Sequence, residues 1–142
     1  MKPLRTLLAL FALTCVALLG EARTIRADEV IPNSNTYAAI AYSPATGNYG
    51  YGYNYGTRFD AEAAALRHCK AEDARIVTWV NNGFCALALG DDKSTWGVGW
   101  RYGPGASNAD AKRTALNECA KRTTNARIVL CVSSANVAPE KP

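Results

Sequence analysis

Residues 37–80 of this 142-residue chain recur as residues 84–132, and no other feature limits the fold as much. At a shift of 47, Tyr37-Ala38-Ala39-Ile40-Ala41-Tyr42 meets Phe84-Cys85-Ala86-Leu87-Ala88-Leu89, and Gly50, Gly52, Tyr55 and Gly56 meet Gly97, Gly99, Tyr102 and Gly103. At a shift of 50, Thr57, Asp60, Ala61, Ala65, Leu66 and Cys69 meet Ser107, Asp110, Ala111, Ala115, Leu116 and Cys119. At a shift of 52, Ala74-Arg75-Ile76-Val77 recurs as Ala126-Arg127-Ile128-Val129. The shift grows through two small insertions, which loops absorb and strands or helices do not. Whatever one half builds, the other must build as well.

Tyr37 to Tyr42 is a short apolar strand, closed by the turn-forming run Ser43-Pro44-Ala45-Thr46-Gly47-Asn48. Tyr49-Gly50-Tyr51-Gly52-Tyr53-Asn54-Tyr55 alternates with a period of two, which a strand sorts into a tyrosine face and a glycine face. Thr57 with Asp60, and Ser107 with Asp110, are N-terminal caps of two helices. The stripe Ala61, Ala65, Leu66, Cys69 and its copy are small enough to lie close against a glycine-bearing sheet face. Arg75 to Val80 and Arg127 to Val132 are β-branched return strands. The expected class is therefore α+β. Two copies of strand-strand-helix-strand form one domain over residues 36–132, with about six strands and two helices on one sheet face. Asn81-Asn82-Gly83 reads as a hairpin turn that sets position 79 opposite position 85. Residues 133–142 show no pattern and are expected to be disordered.

The start of the chain has a basic end, an apolar run from Leu7 to Leu19 and small residues at Gly20, Ala22 and Ala27. This is the pattern of a signal peptide over residues 1–27, cleaved after Ala22 or Ala27, followed by an extended leader at 28–35. The apolar run is too short to span a bilayer, and no transmembrane segment is expected in the mature chain. Removing residues 1–27 takes away four of 16 basic and one of 12 acidic residues, so a net charge of +4 falls to +1. A basic surface for nucleic acid is thereby excluded, and a monomer working in the periplasm or secreted is expected. Four cysteines remain, and export makes two disulfides the natural reading. The pairing that respects the repeat is Cys69–Cys85 and Cys119–Cys131; the cross-half alternative, Cys69–Cys131 with Cys85–Cys119, stays open.

The Tyr37-Ala-Ala-Ile-Ala-Tyr-Ser strand, the Tyr/Gly strand, the alanine helix ending in Cys69 and the Arg-Ile-Val strand together resemble the bacterial exported family called domain of unknown function 4189. The resemblance covers Thr36 to Val132. It implies an exported chain and transfers no catalytic residues, since that family's activity is not established. In that family a cysteine often precedes the Arg-Val-Val strand; Ala74 and Ala126 stand there in this chain.

Catalytic patterns are thin. Gly50-x-Gly52-x-x-x-Gly56 is one residue too long for a dinucleotide-binding turn, and its first two glycines sit inside a strand. His68 is the lone histidine, and its copy is Glu118, which marks a water-facing helix edge. Glu72-Asp73 and Asp91-Asp92 fall in turns, where acidic residues are common. No catalytic residue, metal site or cofactor is assigned, and the chain is read as not an enzyme. The aromatic stripe is the better candidate. Tyr49, Tyr51, Tyr53 and Tyr55 correspond to Trp96, Val98, Trp100 and Tyr102, with Arg101 alongside. If the helices cover the glycine face, this stripe is turned away from them, and flat rings on a rigid sheet stack on sugars or anchor a protein. The expected function is a disulfide-bonded binding module with a protein or an envelope glycan as partner. A small secreted hydrolase or enzyme inhibitor, and a structural envelope protein, are the alternatives.

Overall fold

The computed structural model describes residues 35–142. The expected signal peptide, and all of the expected leader except Asn35, lie outside the described residues. In chain order the elements are β1 (Tyr37–Tyr42), β2 (Tyr49–Tyr55), α1 (Arg58–Cys69), β3 (Arg75–Asn81), β4 (Gly83–Leu89), β5 (Trp96–Tyr102), α2 (Asn108–Ala120) and β6 (Arg127–Ser133). The fold is α+β as expected. Its strands form two antiparallel three-stranded sheets, ordered β2-β1-β3 and β5-β4-β6, each with the first strand of its half in the middle.

Local chemistry explains the helices. Thr57 Oγ1 accepts from the Asp60 amide at 3.1 Å, and Ser107 Oγ accepts from the Asp110 amide at 3.2 Å, so both expected caps form. The glycine faces of β2 and β5 lie directly under α1 and α2. A methyl group at Gly50 would stand 2.2 Å from the Ala65 carbonyl oxygen, and one at Gly99 would stand 2.2 Å from that of Ala111. Only glycine permits backbone to approach that closely. The buried stripe of α1 is Ala61, Ala64, Ala65 and Cys69; Leu66 is exposed, so Ala64 takes the place expected of it.

The aromatic faces determine the rest. Ala38, Ile40 and Tyr42 of β1 meet Cys85 and Leu87 of β4 and Leu130 and Val132 of β6 in a core between the two sheets, with Tyr49, Tyr51, Tyr53, Trp96 and Val98 packed against it. The molecule is thus four layers: α1, its sheet, the second sheet, α2. This corrects the expectation of two helices on one sheet face. The stripe does face away from the helices, but the other sheet covers most of it.

The hairpin expected at Asn81-Asn82-Gly83 does not form. β3 pairs with β1 and β4 with β5 and β6, so position 79 is not opposite position 85. Asn82, in the left-handed region at φ 47°, carries the chain from one sheet to the other, and its amide donates to Thr36 O at 3.1 Å. A hairpin there would have fused six strands into one sheet and left every ring of the stripe bare on one side. Folding one sheet onto the other half-buries Tyr49, Tyr51, Tyr53 and Trp96 instead, removing part of the roughly 150–250 Å² that a fully buried ring of this size takes out of water.

Two further expectations are corrected. The tail is ordered: Cys131 and Glu140 exchange backbone hydrogen bonds of 2.9 Å each, and Ser134 and Ala135 are buried. The four cysteines among the described residues are buried free thiols, so the expected pairs Cys69–Cys85 and Cys119–Cys131 are not formed. Cys69 lies on the buried face of α1, whereas Cys85 lies between the sheets, which separates them by a layer. Cys119 and Cys131 do share the α2 core. Burial pushes the Cys131 thiol up to about 12 and Cys85 further still.

Candidate functional site

Of the expected site residues, Tyr49, Tyr51, Tyr53 and Trp96 lie half-buried against the inter-sheet core. Tyr42 stacks obliquely on Trp96 with ring centroids 6.1 Å apart, and Arg75 covers that ring at 5.6 Å. Tyr55 leaves the stripe. A register shift in the β1–β2 ladder, with Asn54 at φ 60°, inserts one extra residue and turns Tyr55 onto the helix side beside Tyr37 and Ala39. Trp100, Arg101 and Tyr102 remain in solvent at the end of β5.

Those last residues form one wall of a groove. β3 and β5 are edge strands on the same side of the sandwich, and between them lies a cavity of about 470 Å³ lined by Val77–Asn81 of β3 with Trp100 and Tyr102 of β5. Trp79, Trp100 and Tyr102 are 39%, 48% and 72% exposed, a concentration of large apolar surface unusual for a small chain. Trp79 is held firmly. Its ring lies 6.4 Å from that of Tyr37, and the Arg58 guanidinium sits 4.2 Å over its centroid while Nε of Arg58 donates to Glu62 at 2.6 Å. On the far wall Arg101 Nη1 donates to the neighbouring Trp100 carbonyl at 3.0 Å. Trp79 escaped sequence reasoning. Its signal was an asymmetry: at the shift of 52 that lays Arg75-Ile76-Val77 on Arg127-Ile128-Val129, the large ring of Trp79 meets the small side chain of Cys131.

Three of the groups weighed for catalysis, His68, Asp73 and Asp92, bond to the surrounding chain. His68 is exposed, and its Nδ1 donates to the Tyr51 carbonyl at 2.8 Å. Asp73 accepts from Ser43 Oγ and from the Ala45 amide, bonds that hold its carboxyl below the usual range and pin the β1–β2 turn to the loop after α1. Asp92 accepts from the Ser94 amide at 2.8 Å and is lowered for the same kind of reason. Among the described residues no cluster of three or more His, Cys, Asp or Glu is placed to hold a metal ion, and no helix is long and apolar enough to cross a membrane.

Comparison with known proteins finds mycobacterial relatives of this chain. Protein Rv1269c and Protein MT1307 of Mycobacterium tuberculosis, and Protein Mb1300c of Mycobacterium bovis, are each similar to it, with 32% identity over 85 residues. The match covers 60% of this chain and 62% of each relative, so the chain spans less than two thirds of their length. No solved structure matches it. The family model described as Domain of unknown function (DUF4189) matches residues 37–133, which contain every strand and helix among the described residues and the whole groove, and the chain therefore belongs to that family.

Proposed function

We propose that this chain is a small, non-catalytic binding module that works outside the cytoplasm, built from two copies of one strand-strand-helix-strand unit, with the groove between β3 and β5 as its contact surface for a protein or an envelope glycan. The repeat is supported by the matching strand orders of the two sheets and by β2 lying near β6 as β3 lies near β5, which is how a twofold axis would relate the halves. Export rests on the amino-terminal pattern of residues 1–27. One observation carries the contact surface: Trp79, Trp100 and Tyr102 stay in solvent around a single concavity, although every other ring of the stripe is at least half covered. Such rings stack on flat or apolar partners, and a central aromatic hot spot contributes about 2 kcal/mol or more to binding.

The test is a titration of the purified protein with soluble peptidoglycan fragments and with peptides, followed by tryptophan emission. Binding is expected to shift the emission of Trp79 and Trp100. It should weaken by about 30-fold or more in Trp79→Ala and Trp100→Ala, at unchanged thermal stability. Ligands that bind the double variant as tightly as the parent protein rule the groove out.

A further inference from the structure

On the side of the sandwich opposite the groove, the chain shows what a free strand edge of this fold accepts. β6 is an edge strand, and the segment that follows it folds back so that Glu140 pairs antiparallel with Cys131 through two reciprocal backbone bonds. Reciprocal bonds at one residue require that Cys131 turn its amide and carbonyl away from β4, where it faces Ala86. β3 occupies the same place in the other sheet. Trp79 faces Ala39 across β1, and Ala39 and Trp79 are the repeat counterparts of Ala86 and Cys131. Both ladders also shift register at one place, between Ile40 and Ala41 and between Leu87 and Ala88. Hydrogen-bond direction alternates along an antiparallel strand, so this shared register turns the Trp79 amide and carbonyl outward into the groove.

We propose that the groove receives an extended polypeptide, added antiparallel to β3 at Trp79 as the chain's own tail is added to β6 at Cys131. This rests on the reading of the groove as the contact surface and names its partner class. Main-chain hydrogen bonds supply affinity in such strand addition, and pockets for alternate side chains supply specificity. One set of side chains meets Trp100 and Tyr102 and is apolar. The other set lies on the helix side, over Trp79. There the tail offers a template with a difference: the Glu140 carboxylate is taken by Asn108 and Lys112 of α2, whereas their counterparts on α1 are Arg58 and Glu62. Arg58 already closes on Glu62 and Trp79. The residue paired with Trp79 is therefore uncharged, where the one paired with Cys131 is acidic.

The experiment selects peptides from a phage-displayed random library on the purified protein, synthesises the binders, and methylates their backbone nitrogens one at a time. Strand addition predicts losses of about tenfold or more at alternate peptide residues and little change between them, since each methyl removes one main-chain hydrogen bond of the ladder. Amide exchange gives an independent readout. The Trp79 amide exchanges freely in the unbound protein and slows by about tenfold or more with peptide, while the Cys131 amide is slow throughout. Trp79→Val keeps the edge without the ring, so weaker binding with the same alternation supports the proposal. Peptides that are lost on Trp100→Ala but indifferent to N-methylation overturn strand addition and leave the groove as contact surface. Peptides indifferent to Trp79→Ala and Trp100→Ala overturn both readings. A library that yields no binder, or a Trp79 amide protected by self-association of the protein alone, also overturns the proposal.

Discussion

Two residues show how narrowly this packing is set. At Gly99 an added methyl would meet Ala111 O at 2.2 Å and the Ala115 amide nitrogen at 2.5 Å, both backbone atoms that cannot turn aside. Gly99→Ala is expected to lower the free energy of unfolding by about 3 kcal/mol, as overpacking against a rigid element does. Gly56, where nothing lies within 4 Å, is the control, and Gly56→Ala should change it by less than about 0.5 kcal/mol. Equal denaturant midpoints for the two variants would contradict the close approach of helix and sheet. Asp73 sets an acid limit. Hydrogen bonds from Ser43 and Ala45 hold its pKa below the usual 3.8, so as pH falls the unfolded chain binds the proton first. Its contribution is complete above the unfolded value and is lost as pH falls through the folded one. The stability difference between the parent protein and Asp73→Asn should therefore shrink as urea melts are run from about pH 5 down to about pH 3.

At the level of elements, the caps and the glycine faces were readable because each depends on residues within one turn or one strand. Thr57 with Asp60 and Ser107 with Asp110 act over three positions, and Gly50 and Gly52 share a face by simple alternation. Tyr55 was misplaced because a single inserted residue at Asn54 reverses the alternation, and nothing in the Tyr/Gly pattern announces it. The tail was misread for a related reason: one Glu140–Cys131 bridge and the contacts of Glu140 with Asn108 and Lys112 hold it, and a single pairing leaves no period. Removing residues 138–142 should lower stability by about 1 kcal/mol through those lost bonds. Urea unfolding of the truncated chain measures this, and an unchanged midpoint would mean that the tail does not hold β6.

At the scale of the molecule, each half has one sheet face under its own helix and the other against its partner sheet, so neither is complete alone. A fragment of residues 35–82 is expected to stay unfolded, with no dispersed amide spectrum, while the whole chain melts in one transition. A folded, monomeric fragment would show that the inter-sheet core is dispensable. By itself the sequence determined the number and order of elements, the helix starts, and which face of β2 and β5 lies under a helix, because these follow from repeat spacing and local periodicity. It could not say whether Asn81-Asn82-Gly83 folds back into a hairpin or crosses to a second sheet, since both use the same residue types and differ only in what they bury. That choice was made by the tertiary structure, where apolar area is summed over both halves. It half-buried Tyr49, Tyr51, Tyr53 and Trp96 and brought the distant Trp79 and Trp100 to one groove, because the area removed from water depends on how the two sheets meet.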